Sequence, residues 1–322
     1  MIPASMGRPR FSVRILLLLF GSFGAAGCGG EKGADFRIFH AAGMTSLLES
    51  LRDDARRELK FELRAEGSGS QAACRKMTEL KRTCDLLILA DAALVPRLLS
   101  GACAWRLNFA VDEIVLGVGA RAPEPERAEK DWTAAILAEG VRLGRADETL
   151  APIGYRTLMV WQLEEAKGSP GLAAALAKKC AKVVDDVDRL CPLLKNGDLD
   201  YAFLYRSSCV AHDIRFIELD PAVNLGDPAR DYSKARVALP SARAGAGPAI
   251  AVEGSPVAWT LCVPIEGADR AKAAAFAAWL LKRHSAALER HGFKPLVPAR
   301  FFGSREDFAP FAALARHAGA ME

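Results

Sequence analysis

Three short stretches of the chain have the composition to hold an anion without a charged side chain. They are Ala41-Ala42-Gly43-Met44-Thr45-Ser46, Gly67-Ser68-Gly69-Ser70 and Ala151-Pro152-Ile153-Gly154. Each stands between a strand-like run and a segment with helical apolar spacing. The first N–H groups of a helix have no internal partner and point outward, and the helix dipole adds roughly half a positive charge at that end. Small residues let a ligand approach the backbone, and a hydroxyl such as that of Ser70 donates a further hydrogen bond. Singly, each stretch equally fits a plain helix cap. Three of them facing one cleft make an uncharged anion cage.

Catalytic constellations are poorer. His40 follows a strand but has no evident Ser or Cys partner, and His212-Asp213 sits in a loop. The chain carries no G-x-S-x-G, no G-x-x-x-x-G-K-[ST] and no H-E-x-x-H pattern. The acidic run Asp185-Asp186-Val187-Asp188 fits a helix start, where acids favour the positive end of the dipole. Glu218 interrupts the apolar strand 214–219, and alternation alone could place it in solvent. There is no C-x-x-C and no Cys/His cluster with zinc spacing, so neither a metal site nor a redox motif is expected. The pattern speaks for a binding protein with no cofactor and against an enzyme.

The elements that position these turns alternate. Strands are expected at 36–39, 61–65, 85–90, 112–118, 141–144, 201–205, 214–219 and 257–264, with helices at 44–60, 70–83, 91–100, 154–166, 170–182, 188–196 and 268–290. Strands alternating with helices at this spacing imply βαβ units and parallel sheets flanked by helices. Ligands in such sheets bind beyond the carboxyl ends of the strands, which is where the three turns fall. Two α/β lobes follow, one from 35–110 plus 266–322 and the other from 111–265. The segment 112–118 crosses between them, and the chain returns after about residue 264. Residues 241–248, rich in Ala and Gly, make a loop. In the tail, Phe308, Phe311 and Leu314 suggest an amphipathic helix packed on the first lobe.

A chain of 322 residues with 51% hydrophobic and 25% charged content is not disordered. The net charge is +4, and Arg8, Arg10 and Arg14 of the first 27 residues supply most of it. The remainder is close to neutral, without the basic patch of a nucleic-acid binder. Those arginines precede the apolar run from Ile15 to Phe20, then Gly24-Ala25-Ala26-Gly27 and Cys28. A basic start, a short apolar stretch and small residues form a secretory signal over 1–27. Cys28 after Ala26-Gly27 resembles a bacterial lipobox, which implies a lipid on its sulfur, attachment to a membrane, and a tether over 28–34. An ordinary signal peptide or an uncleaved anchor is the alternative. Seven further cysteines cannot all pair. Cys180 and Cys191 could bridge a helix–helix turn, but buried thiols acting as small apolar side chains explain the set better.

Further motifs lie in order along the chain. They include Phe39-His40-Ala41-Ala42-Gly43-Met44-Thr45, Glu66-Gly67-Ser68-Gly69-Ser70, Cys84-Asp85-Leu86-Leu87-Ile88-Leu89-Ala90-Asp91 and Asn108-Phe109-Ala110. They continue through Gly154-Tyr155-Arg156-Thr157, Gly197-Asp198-Leu199-Asp200-Tyr201-Ala202-Phe203-Leu204-Tyr205, Ile217-Glu218-Leu219 and Leu296-Val297-Pro298-Ala299. Over residues 36–300 this series resembles the molybdate- and tungstate-binding proteins of ABC importers, the archaeal-type branch in particular.

The resemblance implies a two-lobed periplasmic-binding-protein fold of type II. Such a protein closes on a hinge around molybdate or tungstate and hands it to a membrane permease and its ATPase, with no catalytic activity. It implies a periplasmic or cell-envelope location. Carried over by position, the ligand set is Gly43, Ser70, Ala151, Tyr155 and Glu218. Ser70 matches a donating serine, and Glu218 a carboxylate that reaches the metal centre of the oxyanion. Gly43 stands where the family has a serine, leaving a backbone N–H, with Thr45 or Ser46 as nearby hydroxyls. Ala151 stands where the family has a second carboxylate. A lost hydroxyl donor weakens binding by about 1–2 kcal/mol, and a lost carboxylate argues against six-fold coordination. Another small oxyanion such as sulfate, or a sensor or interaction lipoprotein that keeps the fold, remain the alternatives.

Overall fold

Residues 34–240, 249–283 and 285–321 are described by the computed structural model, and Gly33–Glu322 forms one compact unit. The expected signal, the Cys28 lipidation site and the loop at 241–248 lie outside the described residues.

The strands, in chain order, are β1 Ala34–Ala41, β2 Phe61–Ser68, β3 Leu86–Leu89, β4 Cys103–Asp112, β5 Ile114–Val118, β6 Leu143–Ala146 and β7 Cys180–Val184. They continue with β8 Tyr201–Tyr205, β9 Phe216–Glu218, β10 Arg236–Leu239, β11 Ile250–Glu253, β12 Val257–Pro264, β13 Lys294–Phe302 and β14 Ala315–Gly319. Among the described residues one sheet has the order β14-β13-β4-β12-β3-β1-β2, a second the order β7-β6-β8-β5-β9, and β10 and β11 form a separate hairpin. Each of the two larger sheets, with its helices, is one lobe.

The sheets are mixed, which corrects the expectation of parallel ones. β1 is parallel to β2 and β3, and β6 to β7 and β8. However, β12 is antiparallel to β3 and β4, and β5 to β8 and β9. The reason is connectivity. β4 runs through Glu113 straight into β5, so β5 enters the second sheet from the hinge and runs away from the cleft. The strands that end at the cleft must oppose it. β12 enters the first sheet in the same way on the return crossing. Its residues Val257–Pro264, expected in the second lobe, therefore belong to the first sheet, and the return comes before Val257.

Burial explains the strand sequences. β3 and β5 are buried throughout and read as unbroken apolar runs. β4 was not expected, because Arg106 and Asn108 interrupt its apolar pattern. Both are buried; Arg106 Nη1 donates to Asn108 Oδ1 at 3.3 Å, and its guanidinium lies 3.8 Å from the Phe302 ring centre. The Thr45–Leu59 helix buries Leu47, Leu48, Leu51 and Ala55 at helical spacing. Of the expected 268–290 helix, Arg270–Arg283 and Ser285–Arg290 are described as helix. In the tail, Pro310 limits helix to Arg305–Phe308 and the 3-10 turn Ala309–Phe311, after which β14 adds to the sheet edge. Phe311 packs on Phe301 and Trp105, so the tail does cover the first lobe.

All seven cysteines in the described residues are free thiols, and six are buried. The Cys180–Cys191 bridge is absent. Cys74, Cys84, Cys103 and Cys262 form one cluster with Phe39, Leu87 and Leu89, and burial pushes the Cys84 thiol up to about 12.

Candidate ligand cleft

Three residues expected to meet a ligand do converge. Gly43, Ser70 and Ala151 line one small cavity between the lobes. The first lobe contributes Ala41-Ala42-Gly43, Gly69-Ser70, Ala90 and Trp259; the second contributes Ala151-Pro152-Ile153, Asp186-Val187 and Tyr205. Ala41, Gly69, Ala151, Asp186 and Tyr205 each immediately precede a helical segment, and none of the five makes a side-chain cap hydrogen bond. Behind Tyr205 these N–H groups are already taken, Arg206 N–H by Glu113 O at 3.0 Å and Ser207 N–H by Asp112 Oδ1 at 3.4 Å, whereas among the described residues the first N–H groups behind Gly69 make no such bond and are left for another partner. Among the described residues no Lys, Arg or His lines the cavity. It encloses about 10 Å³, room for about one water, so the lobes must part to admit a tetrahedral oxyanion.

Two hydroxyl-bearing residues line this space. Ser70 is fully buried, and its Oγ accepts the Ala90 N–H at 3.0 Å. That bond takes an oxygen lone pair and leaves the hydroxyl proton to donate. Tyr205 is 2% exposed, lines the cavity, and its hydroxyl has no partner among the described residues. A buried polar group without a partner costs on the order of 1–3 kcal/mol, which a ligand oxygen would relieve. Tyr205 was not among the expected ligand residues.

Gly43 also acquires a local explanation. A Cβ there would meet Trp259 Cη2 at 3.1 Å and Ser208 Oγ at 3.4 Å. The Trp259 ring takes up the space of a side chain at 43, and the buried, partnerless Ser208 hydroxyl stands beside it. Thr45, expected as a substitute donor, is committed elsewhere: its Oγ1 donates to Ala42 O at 2.7 Å.

Gly69 lies against the opposite lobe. A Cβ on it would come within 2.1 Å of Leu150 O and 2.8 Å of Leu150 C. Beside it, Gln71 Nε2 donates across the cleft to Glu148 O at 2.9 Å. The two helix starts at Gly69 and Ala151 therefore meet backbone to backbone.

Tyr155 and Glu218 do not line the cavity. Tyr155 is buried one layer behind it, and its hydroxyl donates to Asp91. Arg156 Nη2 lies 2.8 Å from the same carboxylate, both residues almost fully buried, and Arg156 Nη1 donates to Ser255 O at 2.6 Å. Asp91 follows β3 in the first lobe, whereas Tyr155 and Arg156 belong to the second, so this ion pair ties the lobes together. Glu218 is exposed at the end of the edge strand β9, opposite Val115. His40 is buried, its Nδ1 donates to Ala41 O at 2.9 Å, and burial lowers its pKa, so the ring is neutral. Among the described residues no group of three or more His, Cys, Asp or Glu is placed to hold a metal ion.

At the hinge, Asp112 is 1% exposed and accepts from the Ser207 hydroxyl at 2.5 Å and from Trp259 Nε1 at 3.3 Å. Burial pushes its carboxyl up to about 6 despite those bonds. It thus fixes the indole that walls the cavity.

Comparison with known proteins agrees with this geometry. The chain is 27% identical over 257 residues to the molybdate/tungstate-binding protein WtpA of Pyrococcus abyssi, spanning 70% of this chain and 74% of that protein. It is also 27% identical over 237 residues to WtpA of Thermococcus kodakarensis, spanning 64% and 66%. In structure it resembles the periplasmic molybdate-binding protein of Azotobacter vinelandii, with a TM-score of 0.58 at 14% identity over 80% of this chain and 98% of that one. The sulfate-binding protein SubI of Mycobacterium tuberculosis gives a TM-score of 0.52 at 16% identity over 89% and 93%. These likenesses carry the two-lobed periplasmic-binding-protein fold. The family model for bacterial extracellular solute-binding proteins matches residues 36–294, and the chain belongs to that family.

Proposed function

We propose that this protein captures molybdate or tungstate between its lobes outside the cytoplasm and delivers the anion to an ABC permease and its ATPase. One observation carries the reading: uncapped helix starts from both lobes, with the Ser70 and Tyr205 side chains, surround a cavity that no cation among the described residues lines. Such a site matches a doubly charged oxyanion with dipoles instead of a counter-ion. The two WtpA relatives give the anion its name. The cleft is proposed to bind without catalysis, in keeping with its solute-binding relatives. Cys28 is proposed as the lipid-bearing residue that holds the protein at a membrane.

The ligand set is proposed as Gly43 through its backbone N–H and Ser70 and Tyr205 through their hydroxyls, with Ala151 as cavity wall, its own N–H being taken by Asp147 O at 3.1 Å, and Tyr155 positioning the lobes through Asp91. Glu218 keeps no proposed contact in this closed form. A second reading follows from Ala151 and from the exposure of Glu218. Without a carboxylate from either position to expand the metal's coordination, recognition rests on hydrogen bonds alone, and sulfate of the same charge then competes on size.

Calorimetric titration of residues 29–322 with tungstate, molybdate, sulfate and phosphate in turn is the test. Sub-micromolar binding of tungstate or molybdate with sulfate silent is the expected result. Sulfate binding as tightly as either supports the second reading. No binding of any of the four by folded protein overturns both.

A further inference from the structure

Asp186 is the one ionisable carboxylate on the cavity wall, a position that an anion site would ordinarily keep neutral or positive. It immediately precedes the Val187–Lys195 helix, makes no side-chain cap bond, and its Oδ1 is buried without a partner. The groups around it do little to balance it. On its own segment stand Asp185, Asp188 and the largely solvated Arg189. From the opposite lobe, Thr45 Oγ1 lies 3.4 Å from Asp188 Oδ2, and Glu49 adds a further negative charge toward Asp188. His212 Nε2 is 3.9 Å from Asp188 Oδ1, but burial lowers its pKa and leaves it neutral. The remaining polar groups on the wall are the Ser70 and Tyr205 hydroxyls, both free to donate. An ionised carboxylate among these groups would repel an arriving dianion at contact distance, where the low local dielectric makes the repulsion large.

We propose that Asp186 enters the closed complex as a neutral carboxylic acid that donates a hydrogen bond to a fully ionised tetrahedral oxyanion, so that each capture takes up one proton. The proton comes from solvent as the lobes close, resides on the Asp186 carboxyl, and returns to solvent when they open. No bond to the anion forms or breaks. The inference deepens the oxyanion reading and rests on it: the ligand class is a dianion with no proton of its own, and Asp186 is the residue that selects it. Burial and the like charge of Asp185 already raise its pKa in the protein alone, only partly offset by the N–H groups of Arg189 and Asp188. An adjacent dianion raises it further.

The test is proton counting by calorimetry. Tungstate is titrated into the protein near pH 7.5, where the anion carries no proton, in Tris and in HEPES, whose ionisation enthalpies differ. The dependence of the observed heat on buffer gives the protons taken up per anion. The expected value approaches one, with the Kd rising about tenfold from pH 7 to pH 8. D186N, isosteric and still able to donate from its amide, is expected to bind tungstate with no buffer-dependent heat and no pH dependence. D188N is expected to retain the uptake. Binding by the wild type with no proton uptake overturns the inference and leaves the oxyanion reading intact. Uptake that survives in D186N, or that vanishes in D188N, also overturns the assignment. No binding of tungstate, molybdate, sulfate or phosphate overturns the oxyanion reading and this inference with it.

Discussion

Replacing Gly69 by Ala separates closure of the lobes from folding of either one. Gly69 has φ −60° and ψ 147°, an extended conformation open to any residue, so the added methyl does not strain its own backbone. The obstacle is on the other lobe. The new Cβ would lie 2.1 Å from Leu150 O, where carbon and oxygen need roughly 3 Å or more, so the helix starts at Gly69 and Ala151 must stand about 1 Å further apart. A ligand hydrogen bond at about 2.9 Å then stretches to about 3.9 Å and is lost. Hydrogen bonds to a charged group contribute about 1.5–3 kcal/mol each, so losing two costs about 3–6 kcal/mol. That is a weakening of roughly 100-fold or more in Kd. The ligand-free protein, with its lobes apart, should be unchanged or up to about 1 kcal/mol more stable, because alanine restricts the unfolded chain. Calorimetry with tungstate gives the Kd, small-angle scattering the compaction on binding, and urea unfolding the stability. If G69A binds tungstate within about threefold of the wild type and compacts as fully, the closed contact between Gly69 and Leu150 is not part of the bound state.

Three other substitutions probe different layers. Y205F removes a hydroxyl that the closed lobes bury without a partner, so tungstate binding should weaken by about tenfold or more by calorimetry while urea unfolding of the ligand-free protein changes by less than about 1 kcal/mol; unchanged binding would mean the hydroxyl does not meet the ligand. D91A strands the buried Arg156 charge, and a drop of about 3–5 kcal/mol in unfolding free energy is expected; a change under about 1 kcal/mol would show the pair is solvated. Asp112, pushed up to about 6 in the fold against about 3.9 unfolded, binds a proton more readily when folded, so its contribution to stability rises as pH falls from about 6 to 4, by about 3 kcal/mol in all. D112N should flatten that slope in unfolding measurements across the same range, and an unaltered slope would assign it to other carboxylates.

Much of this arrangement was legible in the sequence, for physical reasons that also mark where legibility ended. The small residues at 41–43, 67–70 and 151–154 signal places where backbone must be approached closely, and the fold brings two or three residues from each to the same cavity. Strands buried on both faces, such as β3, announce themselves by unbroken apolar runs. β4 did not, because a buried guanidinium stacked on Phe302 has the sequence pattern of a surface position. The mixed sheets follow from where the chain crosses the hinge, which no local pattern encodes. Tyr205 gave no signal either: an aromatic residue ending an apolar strand looks the same whether its hydroxyl meets a carbonyl or a ligand. Asp186 fitted a solvated helix start, yet its Oδ1 is buried. Glu218 held the place of a ligand carboxylate by position along the chain, yet the short edge strand β9 leaves it in solvent.

The buried thiols set a race during export. A family that works outside the cytoplasm meets an oxidising environment before its chain has folded. In the native state Cys74, Cys84, Cys103 and Cys262 share one dry cluster, and burial suppresses the thiolate that would attack a disulfide. In the unfolded chain the same four sulfurs are ordinary thiols within reach of one another and of any oxidant. The native state is thus its own antioxidant, and productive folding must outrun cross-linking. Once any two of those sulfurs couple in the extended chain, the core they fill can no longer assemble around free thiols. Export partners that hold the chain reduced, or deliver it quickly to its first collapsed state, would raise the yield of this protein without touching its stability.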